Sequence, residues 1–253
     1  MIEDYIFDSQ FVVHAGGIGE RWKGVSLKTP KPLTKVGKVK KPIIEYAILP
    51  FINFGVKKFY ITLYYKINIF KKYLEKIFSK YKIEIEFLEE KNKRLGRLGI
   101  VKKSLEEGKL DINKNIISMN ASDILIFDIK KAFDFHFSNL NIPITIVASK
   151  NFKTSFGILE VDEKNKVIGF EEKPFLNFFT NTAFYIIDKS FNKKILEMKI
   201  NYPKNFEEIK EFWENSKVIA LVEHGKTWFP FKDLKDYREF GNLDFLFLQS
   251  FLK

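Results

Sequence analysis

In its first half the chain switches repeatedly between two hydrophobic periods, and this switching constrains the fold more than any other feature of the sequence. "KKFYITLYY" (57–65) is a strand-type run, and "KIEIEFL" (82–88) alternates apolar and charged residues with a period of two. Between them "NIFKKYLEKIFSKY" (68–81) repeats apolar residues at helical spacing. The same order recurs on either side. An apolar run at 11–14 is followed by a predicted helix over 42–54, with Ile43, Ile44, Ala47, Ile48 and Phe51 on one face and Pro42 fitting its first turn. "LGIVKKSLEEG" (98–108) predicts a helix stopped by Gly108, and "NIISM" (115–119) a buried strand. Strands that alternate with helices predict an α/β fold with a parallel sheet and right-handed crossovers.

The pattern changes after "IPITIVA" (142–148). Two β-type runs at 156–161 and 167–172 flank "DEKNK" and predict a hairpin, and "TAFYII" (182–187) adds a strand. A helix near 206–216, a strand at 217–222 and a long helix over 234–251 complete the reading. With no repeat or low-complexity linker, the chain is expected to be a single domain over 1–253, with halves at 11–150 and 151–253.

At 253 residues and 45% hydrophobic content the chain can bury a large core. No apolar run approaches the roughly 18 residues a membrane span needs. The N-terminal "MIEDYIFDSQ" is acidic and does not resemble a secretory signal, and zero cysteines exclude disulfides and thiolate chemistry. A cytoplasmic protein with no membrane partner is expected. The net charge of +11 comes from lysines spread from end to end, so it predicts no nucleic-acid partner. The three histidines, His14, His136 and His224, are too far apart for a local metal motif and read as packing or surface residues. The Phe-rich C-terminus reads as core and as surface for a homo-oligomer.

Directly after the first strand comes "HAGGIGERWKGVSLKTPKPL" (14–33), rich in bare backbone and positive charge. Ligands of open parallel sheets sit at the carboxyl ends of strands, and glycine lets main-chain N–H groups approach phosphate oxygens closely. The glycine spacing is wrong for the dinucleotide fingerprint, and the G-x-x-x-x-G-K-[ST] loop is absent. The segment is thus a phosphate-binding candidate of another kind.

"AGGIGER" (15–21), "PKPL" (30–33) and "KKPIIEYAI" (40–48) together resemble the signature of the sugar-phosphate nucleotidyltransferases, G-G-x-G-[T/S]-R followed by P-K-P and G-K-P. Further matches come in the family's order. "LGRLGI" (95–100) resembles L-G-T-A-G-A, and "NASDIL" (120–125) resembles N-G-D. "FGILEVDEKNKVIGFEEKP" (156–174) resembles the hairpin ending in E-K-P, and "NTAFYII" (181–187) resembles N-[A/T]-G-I-Y-V. The resemblance implies a Rossmann-like three-layer α/β/α fold of the nucleotide-diphospho-sugar transferase type, its mostly parallel mixed sheet carrying a β-rich sugar-binding insertion. It also implies that an NTP and a sugar 1-phosphate react, with Mg²⁺, to an NDP-sugar and pyrophosphate. The first half would bind nucleotide and the second half sugar phosphate.

Carried over residue by residue, Ala15, Gly16, Gly17, Gly19 and Gly96 would bind the nucleotide. Arg21 would bind the triphosphate and the departing pyrophosphate, Lys31 would neutralise charge at the α-phosphate, and Asp123 would hold the metal. Gly157, Glu172, Lys173 and Asn181 would bind the sugar phosphate. The chemistry needs charge neutralisation and alignment rather than an acid/base dyad, because an ionised phosphate oxygen is already a nucleophile.

The chain also departs from the family pattern. Glu20 stands where Thr or Ser is usual, and Arg97 replaces a small residue, either to contact phosphate or base or to fill a pocket. "NASD" has Ala121 and Ser122 where one glycine is usual. In "WFPFKDLKDY" (228–237), Pro230 and Lys232 fall on the two positions where relatives carry the second metal aspartate, and Asp233 is one residue late. Asp233 is the remaining candidate for that ligand. The alternative reading is a catalytically reduced homologue that binds nucleotide or sugar phosphate as a regulatory or partner subunit.

Overall fold

The computed structural model describes residues 2–17, 29–223, 227–232 and 234–243. Seven strands form the main sheet: β1 (Ser9–His14), β2 (Lys58–Leu63), β3 (Glu84–Glu89), β4 (Asn115–Asn120), β5 (Ile144–Lys153), β6 (Phe175–Ile187) and β7 (Ser216–Glu223). Their order across the sheet is β3-β2-β1-β4-β6-β5-β7. All neighbours are parallel except β6, which runs antiparallel to both β4 and β5. The helices are α1 (Ile2–Phe7), α2 (Ile43–Asn53), α3 (Ile67–Phe78), α4 (Gly96–Glu106), α5 (Ile129–Phe137), α6 (Asn192–Glu197), α7 (Lys210–Glu214) and α8 (Leu234–Gly241).

The central strands read as continuous apolar runs because both faces of the sheet are covered. Successive side chains point to opposite faces, so Phe11 and Val13 of β1 join Phe59, Ile61, Ile117, Phe184 and Ile186 in one core, against α2 and α3. Val12 of the same strand joins Ile116, Tyr185 and Ile187 in the second core, against α4 and α6. Every strand that contributes to both layers is thereby held in register, since a one-residue slip would exchange the two sets. The edge strand β3 carries charge instead: Lys58 of β2 bridges Glu84 and Glu86 at 2.9 and 3.0 Å.

A third cluster packs Val36, Ile43 and Tyr46 against Phe229, Phe231 and Phe240, tying α2 and α8 to the segment 228–231. The predicted hairpin forms from Ile158–Val161 and Val167–Glu171, a two-stranded ribbon separate from the main sheet.

Some elements differ from expectation. The helix near 206–216 is a 3₁₀ turn over Phe206–Glu208 followed by α7, because Ile209 between them is extended at φ −117° and ψ 120°. That break turns Phe206 and Phe212 into the same core, their rings 5.0 Å apart. The C-terminal helix ends at Gly241, a poor helix former, and residues 244–253 lie outside the described residues. Helices α1 and α5 were not expected. The side chain of Asp128 caps α5 by accepting from the Lys131 amide at 2.9 Å.

Candidate active site

From β1 the chain continues to β2 and β3 on one side, while β4 lies on the other. A crevice therefore opens beyond the carboxyl ends of β1 and β4, the place where open α/β sheets bind ligands. A cleft of about 510 Å³ occupies this position, with His14 at its floor and with Ala15, Gly16, Gly17, Lys31, Gly96 and Asp123 among its lining residues. The structure thus brings six of the expected site residues together from four stretches of the chain.

Each is placed by local structure. The Ala15 amide donates to the Thr62 carbonyl at 3.1 Å and the Ala121 amide to the His14 carbonyl at 3.0 Å, so the chain leaving β1 and the turn leaving β4 are fixed to each other and to β2. A Cβ added at Gly16 would lie 3.1 Å from the Glu90 carboxylate and 3.4 Å from Cβ of Tyr64, whereas one at Gly17 would meet none of the described residues within 4 Å. Among them Gly16 packs tightly and Gly17 has room.

Gly96 is more constrained. It sits at φ +78° at the start of α4, and a Cβ there would stand 2.3 Å from the Lys204 carbonyl oxygen. The amides of Leu98 and Gly99 donate to that same carbonyl, and the Arg97 amide to the Asn205 side chain at 3.0 Å. The first turn of α4 is therefore capped by the 204–205 backbone and side chain rather than left open.

Lys31 opens a short 3₁₀ turn behind Pro30, and its ammonium donates to the Pro230 carbonyl at 3.0 Å. Asp123 follows the turn after β4. The next two residues, Ile124 and Leu125, pair antiparallel with Phe229 and Trp228, which sets the 228–232 segment beside the carboxylate. Burial pushes the Asp123 carboxyl up to about 6, against the opposing pull of Lys31, of hydrogen bonds from Asn120 and Trp228, and of Arg97. Asn120 Nδ2 lies 3.4 Å and Ser122 Oγ 3.5 Å from its oxygens.

Pro230 and Lys232 also line the cleft, and the Lys232 ammonium lies over the Trp228 ring at 5.6 Å. A lysine therefore occupies the wall where a second carboxylate was sought. Among the described residues no group of three or more His, Cys, Asp or Glu side chains gathers as for a metal. Asp233, Gly19 and Arg21 lie outside the described residues.

The expected sugar-phosphate residues are elsewhere. Gly157, Glu172, Lys173 and Asn181 do not line the cleft. Glu172 and Lys173 follow the ribbon's second strand and pair with each other at 2.9 Å, both exposed, and a Cβ at Gly157 would collide with the Phe170 ring at 2.5 Å. Asn181 donates to the Tyr185 hydroxyl at 2.8 Å. That hydroxyl leads back to the cleft, because the Arg97 guanidinium lies over the Tyr185 ring at 5.9 Å and pairs with Glu207.

Several lining residues carried no expectation. Glu90, at the carboxyl end of β3, is buried; burial raises its pKa, opposed by hydrogen bonds from the Leu95 and Gly96 amides. Its position directly after a strand was the signal that could have found it. Asn205 had no such signal, since it meets Arg97 from 108 residues away. His14, expected as a packing residue, is buried between Ser118 Oγ at 2.9 Å and Thr62 Oγ1 at 3.4 Å; burial and the Arg97 charge hold it well below its usual range, so it is neutral.

Overall the cleft sets four cations, Lys31, Arg94, Arg97 and Lys232, against two carboxylates, Asp123 and Glu90. Such a surface suits a polyanion, with two buried carboxylates set among the cations.

Comparison with known proteins agrees with this fold. Among curated proteins the chain is similar to the D-glycero-alpha-D-manno-heptose 1-phosphate guanylyltransferase of Campylobacter jejuni, at 25% identity over 79% of this chain and 85% of the relative. It is also similar to the mannose-1-phosphate guanyltransferase of Saccharomyces cerevisiae, at 28% identity over 74% of this chain and 52% of the relative, so it spans about half the length of that enzyme. Among solved structures, HddC from Yersinia pseudotuberculosis complexed with GMP-PN shares the fold, with a TM-score of 0.64 and 23% identity over 91% of this chain and 96% of that one. The family model for nucleotidyl transferases matches residues 11–240, nearly the whole of the sheet and its cleft, and the chain belongs to that family.

Proposed function

We propose that the chain joins a sugar 1-phosphate to a nucleoside triphosphate, giving an NDP-sugar and pyrophosphate. The observation that carries this reading is the cationic cleft at the β1–β4 crevice, where Lys31 lies near the buried Asp123. Attack of a sugar-phosphate oxygen on the α-phosphorus brings two anions together, so lowering the barrier is mainly a matter of neutralising and aligning them. Lys31 and Lys232 supply fixed positive charge; Arg97 ties the nucleotide side of the cleft to the Asn181–Tyr185 side. No general base is required.

The donor set fits a Mg²⁺ that arrives with the nucleotide, since that ion is usually held by one or two carboxylates with phosphates and waters. Asp123 would hold it, and the ion would add charge neutralisation at the phosphates. The similarity to guanylyltransferases favours guanine as the base. Glu90 suits it, because an ionised carboxylate accepts from adjacent ring and exocyclic N–H donors.

A binding-only role is favoured by one feature, Lys232 on the wall where a second carboxylate was sought. Pyrophosphate release measured over a panel of NTPs and sugar 1-phosphates, with Asp123→Ala as control, separates the two. Turnover lost in Asp123→Ala supports the enzyme, and nucleotide binding without turnover on any pair overturns it.

A further inference from the structure

The ribbon formed by Ile158–Val161 and Val167–Glu171 is amphipathic, yet none of the described residues covers its apolar face. Cross-strand pairing sets Leu159 opposite Phe170 and Val161 opposite Val167, all four on one face, while Ile158, Glu160, Gly169 and Glu171 form the other. Phe170 is 65% exposed, and Phe156 at the ribbon's base 77%. We propose that this face is the contact surface of a two-fold homodimer, in which the ribbons of two copies pack face to face.

Three arguments point to a second copy. An isolated two-stranded hairpin is at best marginally stable in water, so the ribbon needs a cover on its apolar side. The area is of the right order. At roughly 150–250 Å² per aromatic side chain and somewhat less per aliphatic one, the exposed parts of the four face residues come to on the order of 400 Å². A standard interface takes about 800 Å² from each partner, some three-fifths of it apolar. Finally, an apolar face on a ribbon separate from the main sheet can pair with its own copy about a two-fold axis, which closes the assembly at two copies.

The chain contains no cysteine, so single-cysteine variants report contacts without background. Sedimentation of the full chain at micromolar concentration should give twice the 29.9 kDa mass. Phe170→Asp and Leu159→Asp should each raise the dimer dissociation constant by at least about 100-fold. Leu140→Asp, at an exposed apolar residue outside the ribbon, should leave it unchanged. Oxidation should link copies of Leu159→Cys or Val161→Cys through a disulfide, but not copies of Leu140→Cys. A dimer that survives both aspartate substitutions, or no cross-link from either ribbon position, overturns the proposal. So does a monomer, whether Leu159→Cys reacts freely with a thiol reagent, leaving the face bare, or resists it, assigning the cover to another part of this chain.

Discussion

Replacing Asp123 by asparagine should stabilise the free protein while abolishing turnover. The carboxyl is buried, and burial raises it from 3.8 to about 6 despite Lys31 nearby. A shift of about two units is worth about 3 kcal/mol, with little discount for solvent screening at so buried a group. Because the folded-state pKa is raised, the folded protein binds this proton more tightly than the unfolded chain does. The resulting stability is fully present below about pH 4 and is lost as pH rises through about 6. Asparagine carries no charge at any pH and escapes that loss. Urea unfolding of both proteins from about pH 4 to about pH 7.5 should therefore show asparagine gaining on aspartate by up to about 3 kcal/mol across this range, with equal m-values. Nucleotide with Mg²⁺ should reverse the order, stabilising the wild type more than the variant. A stability difference that stays constant with pH would refute the burial argument.

Lys31→Ala should lower kcat by about 100- to 1,000-fold, the range for a fixed electrostatic donor, with the fold intact; steady-state kinetics and circular dichroism check it. The same variant should raise the Asp123 pKa further, since Lys31 opposes the effect of burial; an unchanged value by ¹³C NMR of the carboxyl would show that the two are not coupled. Gly96→Ala should cost about 3 kcal/mol or more, from a Cβ driven into the Lys204 carbonyl at positive φ, and wild-type stability in denaturant would contradict the geometry. Glu90→Gln should cut kcat/KM for GTP by about 100-fold or more and leave pyrimidine triphosphates less affected; an equal loss on all four would remove Glu90 from base selection.

Most of the layered fold is legible in the sequence, because period carries it. The runs around Phe59 and Ile117 announce strands buried on both faces, and the spacing of Phe70, Leu74 and Phe78 announces α3. Helix α5 was hidden, since it buries only Ala132, Phe133 and His136 among charged neighbours; its one local signal was the cap at Asp128. Helix α8 stops at Gly241, where Gly241 and Asn242 together spell a stop within the expected 234–251 helix. That Gly16, Gly17, Lys31 and Asp123 share one cleft was legible from the family motifs they resemble, each close to a strand end or a proline. Arg97 with Glu207, and its amide with Asn205, were not, since they are made by chain folding back over a hundred residues.

The reversed strand β6 has a consequence for the order of assembly. It is the neighbour of both β4 and β5, yet it follows both in the chain. While the protein is being synthesised, the outer edge of β4 and both edges of β5 remain unpaired until β6 has left the ribosome, and β5 has no direct hydrogen bond to the strands already made. For that interval the nascent chain presents bare, strongly apolar edges of the kind that template aggregation. Strand β6 then joins β4 to β5 in one step, and β7 with Phe206, Phe212 and Trp228 completes the two cores afterwards.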